Sequence, residues 1–242
     1  MGKQYWRGGN MLYPVPAVMV SCGRPEERPN IITVAWAGTV CSSPAMVSIS
    51  VRKERYSYDI LKETGEFVIN LITRDLTYAT DFCGVRSGRD VDKFAQMHLT
   101  PLPSQHISAP GIAESPVNLE CKVTQVIPLG SHDMFLAEVL GVTVDEKYMD
   151  ENGKFHLNDA GLVAYSHGEY FELGEKLGKF GYSVAKKQVA KTESVTKSAK
   201  PSGAGKKAAS AENRTASKTG TGNRRKSASK TGSADKQKSR RK

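Results

Sequence analysis

Beyond Tyr182 the chain has no aromatic residue, and its only large aliphatic side chains are three valines. Residues 186–242 carry 18 Lys and Arg against three Asp and Glu, a net of +15, among Ala, Ser, Thr and Gly. A segment of this kind lacks the apolar surface that would offset its ordering entropy, so disorder is expected there. Folding falls to the preceding residues, a length that supports one sizeable core. The expected division is a folded domain over 1–184 and a basic tail over 185–242. The formal charge of +10 belongs to the tail, since residues 1–185 hold 17 basic and 22 acidic side chains.

Within the body, "LYPVPAVMVSCG" and "IITVAWAGTV" are β-branched, apolar runs separated by the turn-rich "RPEERPN". "AMVSISV" and "EFVINLI" read as further strands, with a two-turn helix between them capped by Ser57 and stopped at Gly65. Residues 74–83 have helical spacing, with Gly84 as terminator. "SGRDVDKF" suggests a turn feeding another short helix, and the proline-rich stretch from Thr100 to Pro116 an extended connection. "VNLECKVTQVI" alternates most clearly, placing Val117, Leu119, Cys121 and Val123 inward and Asn118, Glu120, Lys122 and Thr124 outward. "MFLAEVLGVTV" and "GLVAYSHGEYFELG" complete six or seven strands, which point to a mainly β fold, a β-barrel with short helices.

The catalytic motifs of nucleotide-binding loops, hydrolase elbows and zinc proteases are absent, and the five histidines show no metal-ligand spacing, so no metal site is expected. Cys22, Cys41, Cys83 and Cys121 are widely spaced and read as reduced thiols. Lys3 and Arg7 precede a short apolar run ending "VMVSCG", but Pro14 and Pro16 interrupt it. It is too short for a signal sequence or a membrane span, and a cytoplasmic location is expected.

Two stretches carry chemistry. In "SISVRKERYSYDIL", Arg52, Lys53 and Arg55 gather where a strand meets a helix, beside Ser57. A helix start offers unsatisfied N–H donors to a phosphate, although a solvated turn uses the same residues. Alternation puts Arg52 and Lys53 on opposite faces, so not all three cations reach one anion. In "RPNIITVAWAGTVCSSP", small residues and hydroxyls surround Trp36, which suits either a flat ligand approaching the backbone or a core tryptophan.

These two stretches, with "CGVRSGRDVDKF", "SPVNLECKV", "GSHDMFLAEV" and "AYSHGEYFELG", resemble the flavin reductase-like family, and its flavoredoxin branch in particular, across residues 11–184. The resemblance implies an FMN-binding split barrel, usually a homodimer, that passes electrons from NADH, NADPH or a redox protein through FMN to an acceptor. It implies that Thr33, Val34, Ala35, Trp36, Cys41, Ser42 and Ser43 hold the isoalloxazine and ribityl groups. "SVRKERYSY", from Ser50 through Arg52, Lys53 and Ser57, would hold the phosphate. Lys93 and Phe94 would border the cofactor, and His167 would approach the flavin or the nicotinamide. The poor inventory of acids and bases fits chemistry that a cofactor carries. The tail has no counterpart in the family. Its charge suits non-specific nucleic acid, which leaves a non-enzymatic nucleic-acid-binding protein as the alternative, while a solubilising tail is equally compatible.

Overall fold

In a computed structural model, residues 1–185 are described. The basic segment expected to be disordered, and the nucleic-acid contact assigned to it, lie outside the described residues. The strands are β1 (Val15–Pro16), β2 (Val18–Cys22), β3 (Asn30–Val34), β4 (Ala37–Ser42), β5 (Ala45–Arg52) and β6 (Glu66–Leu71). They continue with β7 (Pro101–Leu102), β8 (Gly111–Ile112), β9 (Val117–Pro128), β10 (His132–Val144), β11 (Val163–Ser166) and β12 (Glu169–Glu172). The α-helices are α1 (Tyr56–Thr64), α2 (Thr77–Val85) and α3 (Lys93–Gln96). No helix among the described residues is long and apolar enough to cross a membrane.

Seven strands form one antiparallel sheet in the order β3-β2-β6-β9-β10-β5-β4. Its two edges, β3 and β4, are consecutive in the chain and joined by Ala35 and Trp36 alone. Laid flat, the sheet would be about 29 Å wide at ~4.8 Å per strand. Three peptide steps span at most about 11 Å. The sheet must therefore roll to bring its edges together, and Ser50 N donates to Trp36 O at 2.9 Å, carrying the β4–β5 ladder up to the bend. The uninterrupted strand expected over 31–40 is divided here, because closure needs a bend that extended backbone cannot supply.

Alternate residues fill the barrel: Val18, Val20, Ile32, Val34, Val47, Ile49, Val51, Phe67, Ile69, Cys121 and Phe135, with Ile60 and Leu61 of α1 closing one end. A second core lies outside the barrel wall, where Met19 and Ile31 pack against Leu76, Ala79 and Cys83 and against Phe94 and Leu99. Thus β2 and β3 are buried on both faces, which accounts for their near-continuous apolar runs. A smaller sheet, ordered β1-β11-β12, adjoins this outer layer.

Three local expectations are corrected. Asn118 and Glu120 are buried, because the 101–116 connection, which forms the β7–β8 pair, folds over that face. Asn118 Nδ2 donates to Asn70 Oδ1 at 2.7 Å and to Ile112 O at 2.9 Å, while Glu120 accepts from the N–H groups of Gln105 and His106. Ser57 is not the cap of α1, since Arg55 occupies that place without a side-chain hydrogen bond. Gly84 lies inside α2, because the helix packs against Thr33 and runs on to Val85.

Asn70 joins this outer network: its amide donates to Met19 O at 2.9 Å and Ser21 Oγ at 3.0 Å, and its carbonyl accepts from Ile112 N. Asn70→Ala leaves several buried polar groups unpaired and is expected to lower the unfolding free energy by about 3 kcal/mol, read from urea midpoints. Lys122→Ala removes an exposed ammonium 3.7 Å from Glu66, whose carboxylate keeps its bonds from Ser108, and is expected to change it by less than about 0.5 kcal/mol.

Candidate functional site

The seam of the barrel opens into a trough with three connected compartments. The first, of about 380 Å³, lies between the C-terminal end of β5, the start of α1 and the loop after α2. Arg52, Arg55, Arg86, Arg89 and Lys93 line it, against one acid, Glu54. The second, of about 140 Å³, runs along Ile32–Trp36 and Ser50–Arg52, with His132 at its side. The third, of about 280 Å³, is walled by Tyr13, Trp36, Tyr165 and Tyr170 together with Asp81, Gly84 and Val85 of α2. Ile32, Arg52 and Arg55 are shared by the first two, and Thr33, Ala35 and Trp36 by the second and third.

Local folding explains the cationic end. Strand alternation carries Arg52 into the trough and Lys53 away, where Lys53 Nζ lies 3.4 Å from the buried Asp133 carboxylate. Arg55, in extended backbone at the helix start, turns over Gly84 O. Because no side chain caps α1, its first N–H groups remain available to an anion in the compartment. Ser57 sits one residue inside the helix, buried, and accepts from Asn30 Nδ2 at 2.7 Å. Arg28 Nη2 donates to Gly88 O at 2.8 Å and holds the 86–89 loop, while the Arg89 guanidinium lies 5.4 Å from the Tyr56 ring centre.

Lys93 is the floor of this compartment. It is 3% exposed, and its Nζ donates to Ile31 O at 2.6 Å and Cys83 O at 2.8 Å, tying β3 to α2. Burial pulls its pKa down to about 8. Burial, reinforced by Arg52 and Arg55, also holds His132 below the usual imidazole range, which favours its neutral form. The opposite end of the trough differs in kind, since Asp81 lines the third compartment and no Lys or Arg does. Tyr170 Oη reaches Asp81 Oδ1 at 3.4 Å, and burial first, then that carboxylate, pushes its phenol up to about 12.

Of the residues singled out in the sequence, Thr33, Val34, Ala35, Trp36, Ser50, Arg52, Ser57 and Lys93 line the trough. Cys41, Ser42 and Ser43 do not, lying at the far end of β4 and in the turn after it. Phe94 packs in the outer core. His167 is at the exposed β11–β12 turn, its ring 5.8 Å from that of Tyr13. Sequence reasoning passed over Arg86, Ser87 and Arg89, although two arginines around Ser-Gly in "RSGR" were a signal. Alternation left open which of the three cations share an anion, and nothing local in the sequence brings Tyr13, Asp81, Tyr165 and Tyr170 together.

Residues 10–174 match the family described as the flavin reductase-like domain. An uncharacterised protein of Archaeoglobus fulgidus is 31% identical over 66% of this chain and 88% of its own length. The flavoredoxin of Desulfovibrio vulgaris (Miyazaki F) superposes with a TM-score of 0.70 at 33% identity, covering 76% of this chain and all of that one. A flavoredoxin from Methanosarcina acetivorans shares the fold with a TM-score of 0.67 at 24% identity, over 76% of this chain and all of that one.

At Gly88 an added Cβ would lie 2.0 Å from Asn30 Oδ1 and 2.7 Å from the Tyr56 ring. Gly88→Ala is therefore expected to displace the 86–89 loop and cost about 1–3 kcal/mol in urea unfolding, while weakening protection by inorganic phosphate.

Proposed function

This chain belongs to the flavin reductase-like domain family, and from that premise we propose that its trough binds FMN and that it passes electrons from a reduced nicotinamide or a redox protein to an acceptor. The observation that supports this reading most strongly is the uncapped start of α1 facing Arg52, Arg55, Arg86 and Arg89 across one compartment. That donor set suits a dianionic phosphate ester, because charge-assisted hydrogen bonds and helix N–H groups converge on one place.

The residues present fit FMN from one end to the other. Arg52, Arg55, Ser87 and the α1 N–H groups would hold the phosphate, with the buried Ser57 and Lys93 closing the floor. Thr33–Trp36 and Ser50 would flank the ribityl chain and ring, where small Ala35 lets a planar group approach the backbone. Bound FMN would supply the redox chemistry, accepting a hydride and releasing electrons singly or in pairs. The chain's own part is to hold the ring at a fixed place and keep water from it. Thr33 is fixed for this by donating to Thr80 O. Hydride transfer to a flavin needs no protein acid or base, since the cofactor carries the reaction.

We extend the proposal to a homodimer. Cys41, Ser42 and Ser43 do not line their own chain's trough, so the role that the family resemblance gives them requires a second subunit.

Purified protein is expected to be yellow, to release FMN on denaturation, and to bleach with NADH or NADPH. A colourless preparation that takes up no FMN would overturn the reading. Arg55→Ala is expected to weaken FMN by about tenfold or more, the loss of one charge-assisted hydrogen bond, and to weaken riboflavin far less. FMN affinity should also depend on pH. It should strengthen as the phosphate gains its second charge near pH ~6. It should weaken above about pH 8, as Lys93 loses its proton. Riboflavin, lacking the phosphate, should show neither step in equilibrium titrations.

A further inference from the structure

Behind the cationic end of the trough lies a buried carboxylate that the FMN reading does not use. Asp133 follows His132 on β10 and pairs in register with Val51, so it turns away from the trough toward the barrel end that α1 closes. It is 5% exposed. Its Oδ2 accepts from Tyr58 Oη at 2.6 Å, and Lys53 Nζ lies 3.4 Å from Oδ1, which has no hydrogen bond of its own. The Tyr58 ring stands edge-on to Phe135, with 5.8 Å between centres. Lys53, Tyr58 and Asp133 all lie outside the three compartments of the trough.

A carboxylate is costly at an apolar barrel end, where a hydrophobic side chain would pack at least as well. It also places negative charge behind a compartment that suits an anion. Both of its partners come from one short segment: Lys53 directly follows Arg52, and Tyr58 stands three residues after Arg55. Between these two attachment points Arg55 N donates to Arg52 O at 3.1 Å and Tyr58 N to Arg55 O at 2.9 Å. The uncapped start of α1 lies within the same span.

We propose that Asp133 is a positioning residue for the phosphate end of the trough: by holding Lys53 and Tyr58 it fixes the 52–58 turn, and with it the spacing of Arg52, Arg55 and the first N–H groups of α1. That the phosphate is that of FMN rests on the reading above. Donors already held in place need no ordering when the anion arrives, which is where the gain in affinity arises. Lys53 thus serves the phosphate from behind, without touching it. The Tyr58 hydroxyl first, and Lys53 after it, hold the Asp133 carboxyl below the usual carboxylate range, and that carboxylate pushes the Tyr58 phenol up to about 12.

Equilibrium titrations with FMN and riboflavin test the clamp, with inorganic phosphate as a third probe, read as protection against urea. Asp133→Asn keeps the side chain's shape and removes one negative charge. Electrostatics alone would tighten FMN and phosphate in this variant. Loss of the clamp should instead weaken FMN by about fivefold, roughly the worth of one hydrogen bond, and riboflavin by less than about twofold. Tyr58→Phe, which alters no charge, should show the same selective loss and add little to it in the Asp133→Asn background. Unchanged or tighter FMN in either variant, or an equal loss of riboflavin, would overturn the proposal. Should Asp133→Asn fail to fold, Tyr58→Phe decides by the same outcomes. Wild-type protein that is protected by phosphate but binds no FMN would defeat the FMN reading, and phosphate protection in the two variants would then judge the clamp. Wild-type protein that binds neither would overturn both.

Discussion

Two residues, Ala35 and Trp36, join the opposite edges of a seven-stranded sheet, and most of the molecule follows from that link. So short a connection forces the sheet to roll, since only closure brings β3 and β4 within its reach. Closure at a bend cannot extend the hydrogen-bonded ladder through the seam, so the barrel keeps a split there. The trough lies along that split. Trp36 sits at the seam because the bend does, and its backbone carbonyl is satisfied by Ser50, the last rung of the β4–β5 ladder.

Rolling also sets what must cover the wall beside the seam. The outer faces of β2 and β3 are apolar, and α2 and α3 pack there. Lys93 adds a polar tie, spending two donors on carbonyls of β3 and α2. The same packing brings the end of α2 and its arginine loop alongside the start of α1. One wall of the trough is therefore built by an element whose position is set by core packing elsewhere. The charge difference between its ends arises in the same way, with arginines gathered from β5, α1 and the loop after α2, and Asp81 facing the aromatic sheet.

The elements themselves were largely legible in the sequence. The period-two pattern of "AMVSISV" and the helix stop at Gly65, in left-handed backbone, are local physics that survives folding. The opposite directions of Arg52 and Lys53 follow from alternation in the same way. Legibility failed where another element supplied the environment. Asn118 and Glu120 read as solvent-facing because alternation reports two faces without saying what covers each. Ser57 read as a cap because its type suits one, yet Asn30 from β3 claims its hydroxyl and leaves the helix start open.

By itself the sequence determined which residues can form a core, where strands and the main helix run, and that a cation-rich strand–helix junction exists. These depend on side-chain period, on turn chemistry and on a composition that sets the basic segment apart from the body. Only the tertiary structure decided which cations share a compartment, that Arg55 faces inward and Lys53 outward, and that four aromatic rings meet around Asp81. Those juxtapositions join residues up to about 160 positions apart, and sheet closure and packing, which no local pattern encodes, bring them together.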